Sequence, residues 1–177
     1  MFLFIFFRFL LDLLLLPVLP VVVAWARREE ARVLRAGTPL SPLEDALAHA
    51  AGVREASRVR VLAAQRVPTP LPRVLQRLVE RLGLISPHIA AMTLGHAIVF
   101  RQDCRDDVRM LAHELTHVAQ YERLGGIAGF MRPYLRECVW PGYPRGPLER
   151  EAQRGEALAE GHAAALAVVR SDDGRRM

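Results

Sequence analysis

The chain has 177 residues, a length that suits one compact domain with a modest hydrophobic core. Its formal net charge is +5, and all 24 basic residues are arginine because the sequence contains no lysine. These arginines are scattered among carboxylates and are not clustered with aromatic residues, which argues against a nucleic-acid-binding surface. The two cysteines, Cys104 and Cys138, are too few for a disulfide framework, and we expect two free thiols rather than a single bridge.

The first 26 residues are almost wholly apolar and are followed abruptly by the charged run RREEARVLR. A helix needs about 20 apolar residues to cross the hydrocarbon layer of a membrane, and residues 1–26 meet that length. Arg8 and Asp12 interrupt the run, but they lie four residues apart and can pair on one helix face. The segment therefore predicts a transmembrane anchor. The alternatives are a signal peptide cleaved after the small-residue triplet AWA and a segment that dips into one leaflet.

The charges around this segment predict its orientation. Several arginines follow it directly, whereas Arg8 is the only basic side chain before its centre. Because positively charged flanks stay on the cytoplasmic side, we expect a single-pass membrane protein with a cytoplasmic domain. The domain would be secreted or periplasmic if the segment were a cleaved signal. The membrane is thus an expected partner, and the sequence leaves the oligomeric state open.

A linker and a short helix are predicted after the charged run. The stretch GTPLSP has the composition of a linker that ends at a helix start. Ser41, Pro42 and Glu44 suit the N-cap, N1 and N3 positions of a helix that runs to about Ala51.

Three further segments show periodic apolar residues. Residues 57–65 alternate well enough to predict a strand, and the apolar spacing in 74–82 predicts a helix. Residues 88–101 are apolar, with Gly95 in the middle, which predicts two short strands or one bent strand.

The next predicted helix has a continuous apolar stripe. Asp103 or Asp106 can cap its start, and the pair Gly125 and Gly126 can end it. The stripe follows the i, i+3, i+4, i+7 pattern of a helix packed on a core. Its members are Val108, Leu111, Ala112, Leu115, Val118 and Ala119.

This helix also carries the sequence HELTH. One helical turn is 3.6 residues, so His113 and His117 project from the same side and can bind one cation. Zinc suits neutral imidazoles and leaves a coordination position open for water. Zinc would lower the pKa of that water to about 7, and Glu114 would accept its proton and pass it to the leaving amine. The spacing therefore predicts a hydrolytic zinc site, with a pair of surface histidines as the alternative.

A catalytic zinc normally has three protein ligands, and no third histidine follows HELTH at short spacing. The Pro/Gly-rich stretch 133–147 predicts a connection, and from Pro147 the chain is predicted to be helical to about Arg170. This last helix offers four carboxylates as the third ligand, of which Glu149 in its first turn is preferred. Glu151 projects about 200° away from Glu149 on the helix. The four candidates are Glu149, Glu151, Glu156 and Glu160.

The motif HELTHVAQ, followed some way later by PLEREA, resembles the zincin peptidases whose third ligand is glutamate, the gluzincins. It is most similar to bacterial HELTHV-Q domains of uncharacterised function, some of which are linked to contractile injection systems. The resemblance covers about residues 93–159. It implies His113, His117 and Glu149 as zinc ligands and Glu114 as the catalytic base. The pairing is also similar to the membrane peptidases that process prenylated or misfolded membrane proteins, which have an E-x-x-A-D helix. Glu149 and Ala152 match the E-x-x-A of that helix, but Gln153 stands where the pattern has an aspartate that supports a ligand histidine.

The resemblance also implies roles for residues around the site. The strand before the helix would lie at the edge of the cleft, where substrate backbone could add as an extra strand. Tyr143 and His162 are candidates to stabilise the oxyanion. We expect His96 and His49 to be structural or solvated.

Together these observations predict an α+β fold, in which a small zincin-like sheet packs on the active-site helix and on a later ligand-bearing helix. A membrane helix would precede them. The expected organisation is an anchor or signal peptide over 1–26, a linker and short helix over 27–56, the metallopeptidase domain over 57–170 and a disordered tail over 171–177. The expected function is zinc-dependent hydrolysis of a peptide or protein substrate. The alternative is a non-catalytic, zinc-stabilised interaction module at the membrane.

Overall fold

The computed structural model of the chain describes residues 17–70 and 89–160. Within these residues the fold is α+β, with five α-helices and a four-stranded mixed sheet. In chain order the elements are α1 (Val18–Ala36), β1 (Thr38–Pro39), α2 (Pro42–Ala50), β2 (Arg60–Ala64), β3 (Ala91–Leu94), β4 (Ala97–Arg101), α3 (Val108–Arg123), α4 (Ile127–Glu137) and α5 (Pro147–Gly155).

The sheet has the strand order β1-β2-β4-β3, so β3 lies at one edge. Strands β2 and β4 are parallel, with Val61 opposite Ile98, and β3 pairs with β4 as an antiparallel hairpin. Gly95 begins the two-residue turn of this hairpin at a φ of +64°, a conformation that favours glycine. The predictions of a strand over 57–65 and of two short strands around Gly95 are confirmed.

Helix α3 packs across the sheet and forms the centre of the main core. Its apolar stripe lies against β2, β4 and α2, as the helical spacing of these residues predicted. Apolar burial of this kind contributes about 25 cal/mol for each Å² removed from water. The fully or almost fully buried members of the cluster include Leu47, Val59, Val61, Ile98, Phe100, Leu111, Leu115 and Val118.

Helix α1 corrects the prediction for the N-terminal segment. Among residues 17–70 and 89–160, no helix combines the length and the apolar character that a membrane crossing requires. The apolar residues of α1 run without a break into the charged residues after Ala26, and both Ala26 and Val33 are fully buried within the fold. The prediction of a single-pass membrane anchor is therefore wrong, because the described part of this segment belongs to a helix packed within the fold. Residues 1–16 of the predicted anchor lie outside the described residues.

The apolar half of α1 packs on the protein itself. Leu19, Val22 and Trp25 lie against a second core cluster that α4 and the start of α5 help to form. The charged half is also engaged, because a Glu30 oxygen accepts a hydrogen bond of 3.1 Å from the backbone N–H of His96. The helix is thereby fixed to the β3–β4 hairpin, and it crosses the boundary predicted between residues 26 and 27.

Local capping signals were accurate for α2 and less so for α3. Ser41 caps α2 and forms a capping box with Glu44, which confirms the helix predicted there. The cap of α3 is Asp107, whose side chain accepts a hydrogen bond from the Met110 N–H, and not Asp103 or Asp106 as predicted. Asp103 instead forms an ion pair with Arg101, the last residue of β4.

The region after α3 differs more from its prediction. Residues 133–137, predicted as part of a connection, continue α4, because this helix accommodates Pro133. Helix α5 starts at Pro147 as predicted and ends at Gly155, where a turn at residues 156–157 interrupts the helix predicted there. Residues 161–170 of that predicted helix lie outside the described residues. The helix predicted over 74–82 and the tail over 171–177 fall outside the described residues. Both cysteines are free thiols.

The crossing of α3 and α5 depends on a glycine. A Cβ added at Gly155 would lie 2.1 Å from the hydroxyl oxygen of Thr116 on α3. We expect Gly155→Ala to lower the free energy of unfolding by about 1–3 kcal/mol, because the two helices would have to separate. Urea unfolding measures this loss. The double variant Gly155→Ala/Thr116→Ala removes the clashing hydroxyl and should regain part of it; no recovery would exclude the clash as the cause.

Candidate metal centre

Helices α3 and α5 bring three side chains of ligand type together. His113 and His117 project from one side of α3, and Glu149 comes from the first turn of α5, where Pro147 begins the helix. The Nε2 atoms of the two histidines are 3.2 Å apart. The Glu149 oxygens lie 3.5 Å from the Nε2 atom of His113 and 3.6 Å from that of His117. These three residues form a group that could hold a metal ion.

The spacing of these atoms fits a tetrahedral ion. Bonds of about 2.0–2.1 Å at tetrahedral angles place neighbouring ligand atoms about 3.3–3.4 Å apart. The two Nε2 atoms, 3.2 Å apart, and the shortest distances to the carboxylate, 3.5 Å to Oε2 and 3.6 Å to Oε1, lie close to this value. The arrangement is therefore preformed for a small cation.

The hydrogen bonds around His117 decide which of its nitrogens is bare. The amide nitrogen of Gln120 donates to the backbone oxygen of Leu148 at 2.9 Å and to Glu151 at 3.1 Å. The amide oxygen of Gln120 must then face His117, whose Nδ1 atom is 2.8 Å away. Because an amide oxygen can only accept, Nδ1 carries the proton and Nε2 presents a lone pair to the site.

His113 is oriented in the same way by a carboxylate. Its Nδ1 atom lies 3.2 Å from one oxygen of Glu156, and the other oxygen accepts a hydrogen bond of 2.8 Å from Arg109. A carboxylate oxygen can accept the Nδ1 proton of His113. A second bare Nε2 atom therefore points at the same place as that of His117.

The third member of the group is an orphaned oxygen. The Oε2 atom of Glu149 is buried and has no hydrogen-bond partner among the described residues. Burying such an acceptor without a partner costs about 1–3 kcal/mol, and more when it is charged. Two lone pairs and this carboxylate oxygen thus converge with no donor between them. A bound cation would satisfy all three atoms at once.

The pKa values of His113 and Glu149 are shifted in directions that favour a positive charge at the site. Burial would lower the pKa of His113, but the surrounding carboxylates, led by Glu149, outweigh this effect and raise it. Burial would raise the pKa of Glu149, but the nearby imidazoles of His113 and His117 and the hydrogen bond from Tyr134 outweigh this effect and lower it. Glu149 therefore stays ionised at neutral pH. Since a proton and a metal ion compete for the same imidazole, metal binding weakens as the pH falls.

Glu114 lies beside the ligands without joining them. It is buried on α3, and its Oε2 atom accepts a hydrogen bond of 2.6 Å from the hydroxyl of Thr93 on the edge strand β3. The Thr93 hydroxyl is also 3.1 Å from the backbone oxygen of Glu114. This contact fixes the carboxylate between α3 and β3, next to His113.

The other predicted ligands have different partners. Glu151 forms a two-fold ion pair with Arg123, with both distances at 2.8 Å, so it is not available to the ion. Glu156 lies behind the His113 ring, and Glu160 is exposed at the surface. Glu149 is thus the carboxylate that the fold brings to the histidines.

Two tyrosines lie near Glu149. The hydroxyl of Tyr134 on α4 donates to the Oε1 atom of Glu149 at 2.9 Å, and burial raises the pKa of this phenol well above its usual value. Tyr143 is 64% exposed, and partial burial, followed by the charges of Glu149 and Glu114, raises its pKa to about 12. Both phenols therefore keep their protons at neutral pH. The other predicted oxyanion residue, His162, lies outside the described residues.

A second group of ligand-type side chains lies at the other end of α3. It consists of Glu55, His96 and Glu122, beside a cavity of about 580 Å³. The Glu122 oxygens already accept hydrogen bonds of 2.7 and 3.0 Å from the backbone N–H groups of Arg54 and Glu55. The Nε2 atom of His96 is 3.1 Å from Glu122. This group is a saturated structural cluster, as was expected for His96.

The sequence patterns do not predict several residues that contact the site in the structure. The sequence predicts a connection around Tyr134 and indicates no role for Thr93 or Gln120. Gln120 carried the one readable signal, because it lies three residues after His117 and hence on the same helix face. It supplies the support for a ligand histidine that the resemblance assigned to the position of Gln153.

The fold and the site together define an α+β domain with a two-histidine, one-glutamate group on two packed helices. A family model described as the eCIS core domain matches residues 85–125, which include HELTH but not Glu149. This similarity supports the resemblance to the bacterial HELTHV-Q domains and does not bear directly on the zincin peptidases. No curated protein and no solved structure is similar enough to the chain to count as a match.

The role of Gln120 can be tested by removing its hydrogen bonds. We expect Gln120→Met to lower zinc affinity about 10–100-fold, because the His117 ring loses the acceptor that fixes its orientation. Competition with a chromophoric chelator measures this change. Gln102→Met, the same replacement at an exposed position, is the control and should leave the affinity unaltered. Equal affinities in the two variants would remove Gln120 from the site.

Proposed function

We propose that this protein is a zinc-dependent peptidase that hydrolyses peptide bonds of a peptide or protein substrate. The observation that carries the proposal is the convergence of two bare imidazole nitrogens and an orphaned carboxylate oxygen, with Glu114 held beside them. Three protein ligands and a separate carboxylate are the set that metal-assisted hydrolysis needs.

Zinc is favoured over calcium and magnesium by the donor types. Calcium and magnesium prefer six or more oxygen ligands, which this group does not offer. Non-haem iron also binds two histidines and one carboxylate, but at octahedral angles that bring the ligand atoms to about 3.0 Å. The separation of 3.2 Å between the two Nε2 atoms lies between the octahedral and the tetrahedral values, so the metal content of the purified chain is what distinguishes zinc from iron.

The residues of the chain have distinct roles in the proposed reaction. Zinc, when bound, supplies an activated water and polarises the scissile carbonyl. Glu114 accepts the proton of the attacking water and delivers it to the leaving amine. Thr93 holds Glu114 in place through the 2.6 Å hydrogen bond, and it leaves the second carboxylate oxygen for the proton. Gln120 and Glu156 keep the two imidazoles oriented.

The surroundings of Glu114 support a peptide substrate. Strand β3 is an edge strand and carries Thr93, so an extended peptide paired with this edge would pass next to Glu114. Tyr143 keeps its hydroxyl proton and is exposed near Glu149 and Glu114. It is our candidate for hydrogen bonding to the oxyanion.

A non-catalytic zinc-stabilised module is the second candidate function. It is favoured by the origin of the ligands, because His113 and His117 come from α3 and Glu149 comes from α5. An ion at this place would hold the two helices together and add to stability. The two functions differ at the fourth coordination position, which a catalytic site keeps for water.

Metal analysis combined with a cleavage assay tests both functions on the full chain. For the peptidase we expect about one zinc ion per chain. We also expect cleavage of an unstructured peptide library that is lost with a chelator and regained with zinc. Bound zinc without cleavage of any peptide would favour the structural module. A protein that holds no zinc, and whose melting temperature ignores chelators, would contradict both.

A further inference from the structure

The Tyr134 hydroxyl contacts an oxygen of Glu149, the carboxylate of the ligand group. This hydroxyl donates to Glu149 Oε1 at 2.9 Å, whereas Glu149 Oε2 has no partner among the described residues. The two oxygens of this carboxylate are thus in different states. One is occupied by a phenol, and the other faces the bare nitrogen of His113 at 3.5 Å.

The Oε1 atom of Glu149 is also close enough to the histidines to bind an ion. It lies 3.6 Å from the Nε2 atom of His117, about as near as Oε2 lies to His113 at 3.5 Å. Without the phenol, both oxygens would be free to bind the same ion. A carboxylate that binds through both oxygens occupies a second position around the ion.

We propose that Tyr134 is a positioning residue that restricts Glu149 to binding the metal through Oε2 alone, so that the fourth coordination position stays open for water. This inference rests on the proposed function, because it needs a metal at the site. The role of Tyr134 would favour catalysis at this site. Two imidazoles and a bidentate carboxylate would fill all four coordination positions of the ion and leave none for water.

The packing of Tyr134 supports a positioning role for the hydroxyl. Its ring stacks on Phe130 with centroids 5.1 Å apart and meets the edge of the His117 ring at 6.3 Å. These contacts hold the ring whether or not the hydroxyl is present. Tyr134→Phe therefore removes the hydrogen bond to Glu149 and keeps the shape of the site.

Cobalt(II) in place of zinc reports directly on coordination, because its visible absorption differs between four-coordinate ions with and without a bound water. The full chain is loaded with cobalt and titrated with azide, an anion that replaces water. For the unaltered protein we expect a band that shifts as azide binds. For Tyr134→Phe we expect cobalt to stay bound, a changed band and an azide affinity lower by about 10–100-fold, a typical effect of altering an outer-sphere partner.

Tyr121→Phe is the matched control. The Tyr121 hydroxyl is also buried, but it donates to the Thr93 backbone oxygen at 3.2 Å and does not contact a ligand. Its loss should lower stability and leave the cobalt spectrum and the azide affinity unaltered. If Tyr134→Phe has the cobalt spectrum and the azide affinity of the unaltered protein, the positioning role of Tyr134 is wrong, but the proposed metal site is not contradicted. If the unaltered protein takes up no cobalt, the proposed function is wrong as well.

A measurement on the unaltered protein keeps the inference testable if Tyr134→Phe does not fold. X-ray absorption of the zinc-loaded chain gives the number and distances of the ligand atoms. We expect four light atoms at about 2.0–2.1 Å. We also expect the Glu149 carboxylate carbon at the longer distance from the ion that binding through one oxygen gives, because binding through both oxygens brings this carbon closer. A zinc ion bound by both Glu149 oxygens would overturn the inference.

Discussion

Replacing Glu114 with glutamine should lower kcat/KM for peptide cleavage by about 10²–10⁴-fold, while zinc stays bound. Glutamine keeps the shape of the side chain, and its amide oxygen can still accept the hydrogen bond from Thr93. It cannot accept a proton from the attacking water. The loss should therefore appear in the rate of hydrolysis, measured with a fluorogenic peptide, and not in the zinc content of the same preparation.

Glu160→Gln is the matched control for this experiment, because it makes the same replacement at an exposed glutamate away from the ligands. It should keep both zinc and activity. Two results would count against the proposed role of Glu114. Unchanged hydrolysis in Glu114→Gln would mean that another group is the base. Loss of zinc together with activity would mean that Glu114 holds the site together and that its catalytic role is unproved.

Replacing His117 with alanine should remove zinc binding and the stability that zinc provides. The variant loses one of three ligands and leaves the buried oxygen of Gln120 without the imidazole that it accepts from. A ligand present at 1,000 times its Kd stabilises a protein by about 4.1 kcal/mol. We therefore expect the melting temperature of the unaltered chain to fall with a chelator, and that of His117→Ala to be low and unresponsive.

His49→Ala provides the comparison. His49 is 60% exposed in its side chain and pairs with Asp45 across one turn of α2, away from the ligands. Its replacement should leave both the zinc content and the response to chelators intact. A His117→Ala protein that still binds one zinc as tightly as the unaltered chain would show that the ion lies elsewhere.

The parts of the site that were predictable from the sequence are those that depend on local geometry. The spacing of His113 and His117 fixes their common direction on any helix. Pro147 marks the start of α5 and puts Glu149 in its first turn. Only the meeting of these two helices needed the tertiary structure, and the resemblance to the gluzincins anticipated it.

The residues that were missed act across elements far apart in sequence. Tyr134 reaches Glu149 because α4 continues through Pro133, a residue that usually ends a helix. Thr93 contacts Glu114 because β3, at the edge of the sheet, lies beside the buried side of α3. Neither contact produces a periodic pattern in the sequence. Patterns within a single segment therefore cannot predict these two contacts.

The N-terminal prediction failed for a related reason. Hydropathy cannot distinguish an apolar run that faces lipid from one that faces the protein's own core. In the described part of the run, Leu19, Val22 and Trp25 pack on the α4 cluster, and the same helix continues through charged residues to Ala36. The abrupt change of composition at Ala26 is therefore no structural boundary.

The carboxylate that completes the ligand group lies beyond the stretch that resembles the eCIS core domain. Residues 85–125 contain both histidines, but Glu149 belongs to a helix that begins only after α4. A match to this stretch alone therefore does not show whether a protein has the third ligand of the proposed site. To sort such proteins, one must find the acidic residue downstream, and a fragment that ends at residue 125 would keep the motif yet bind metal weakly.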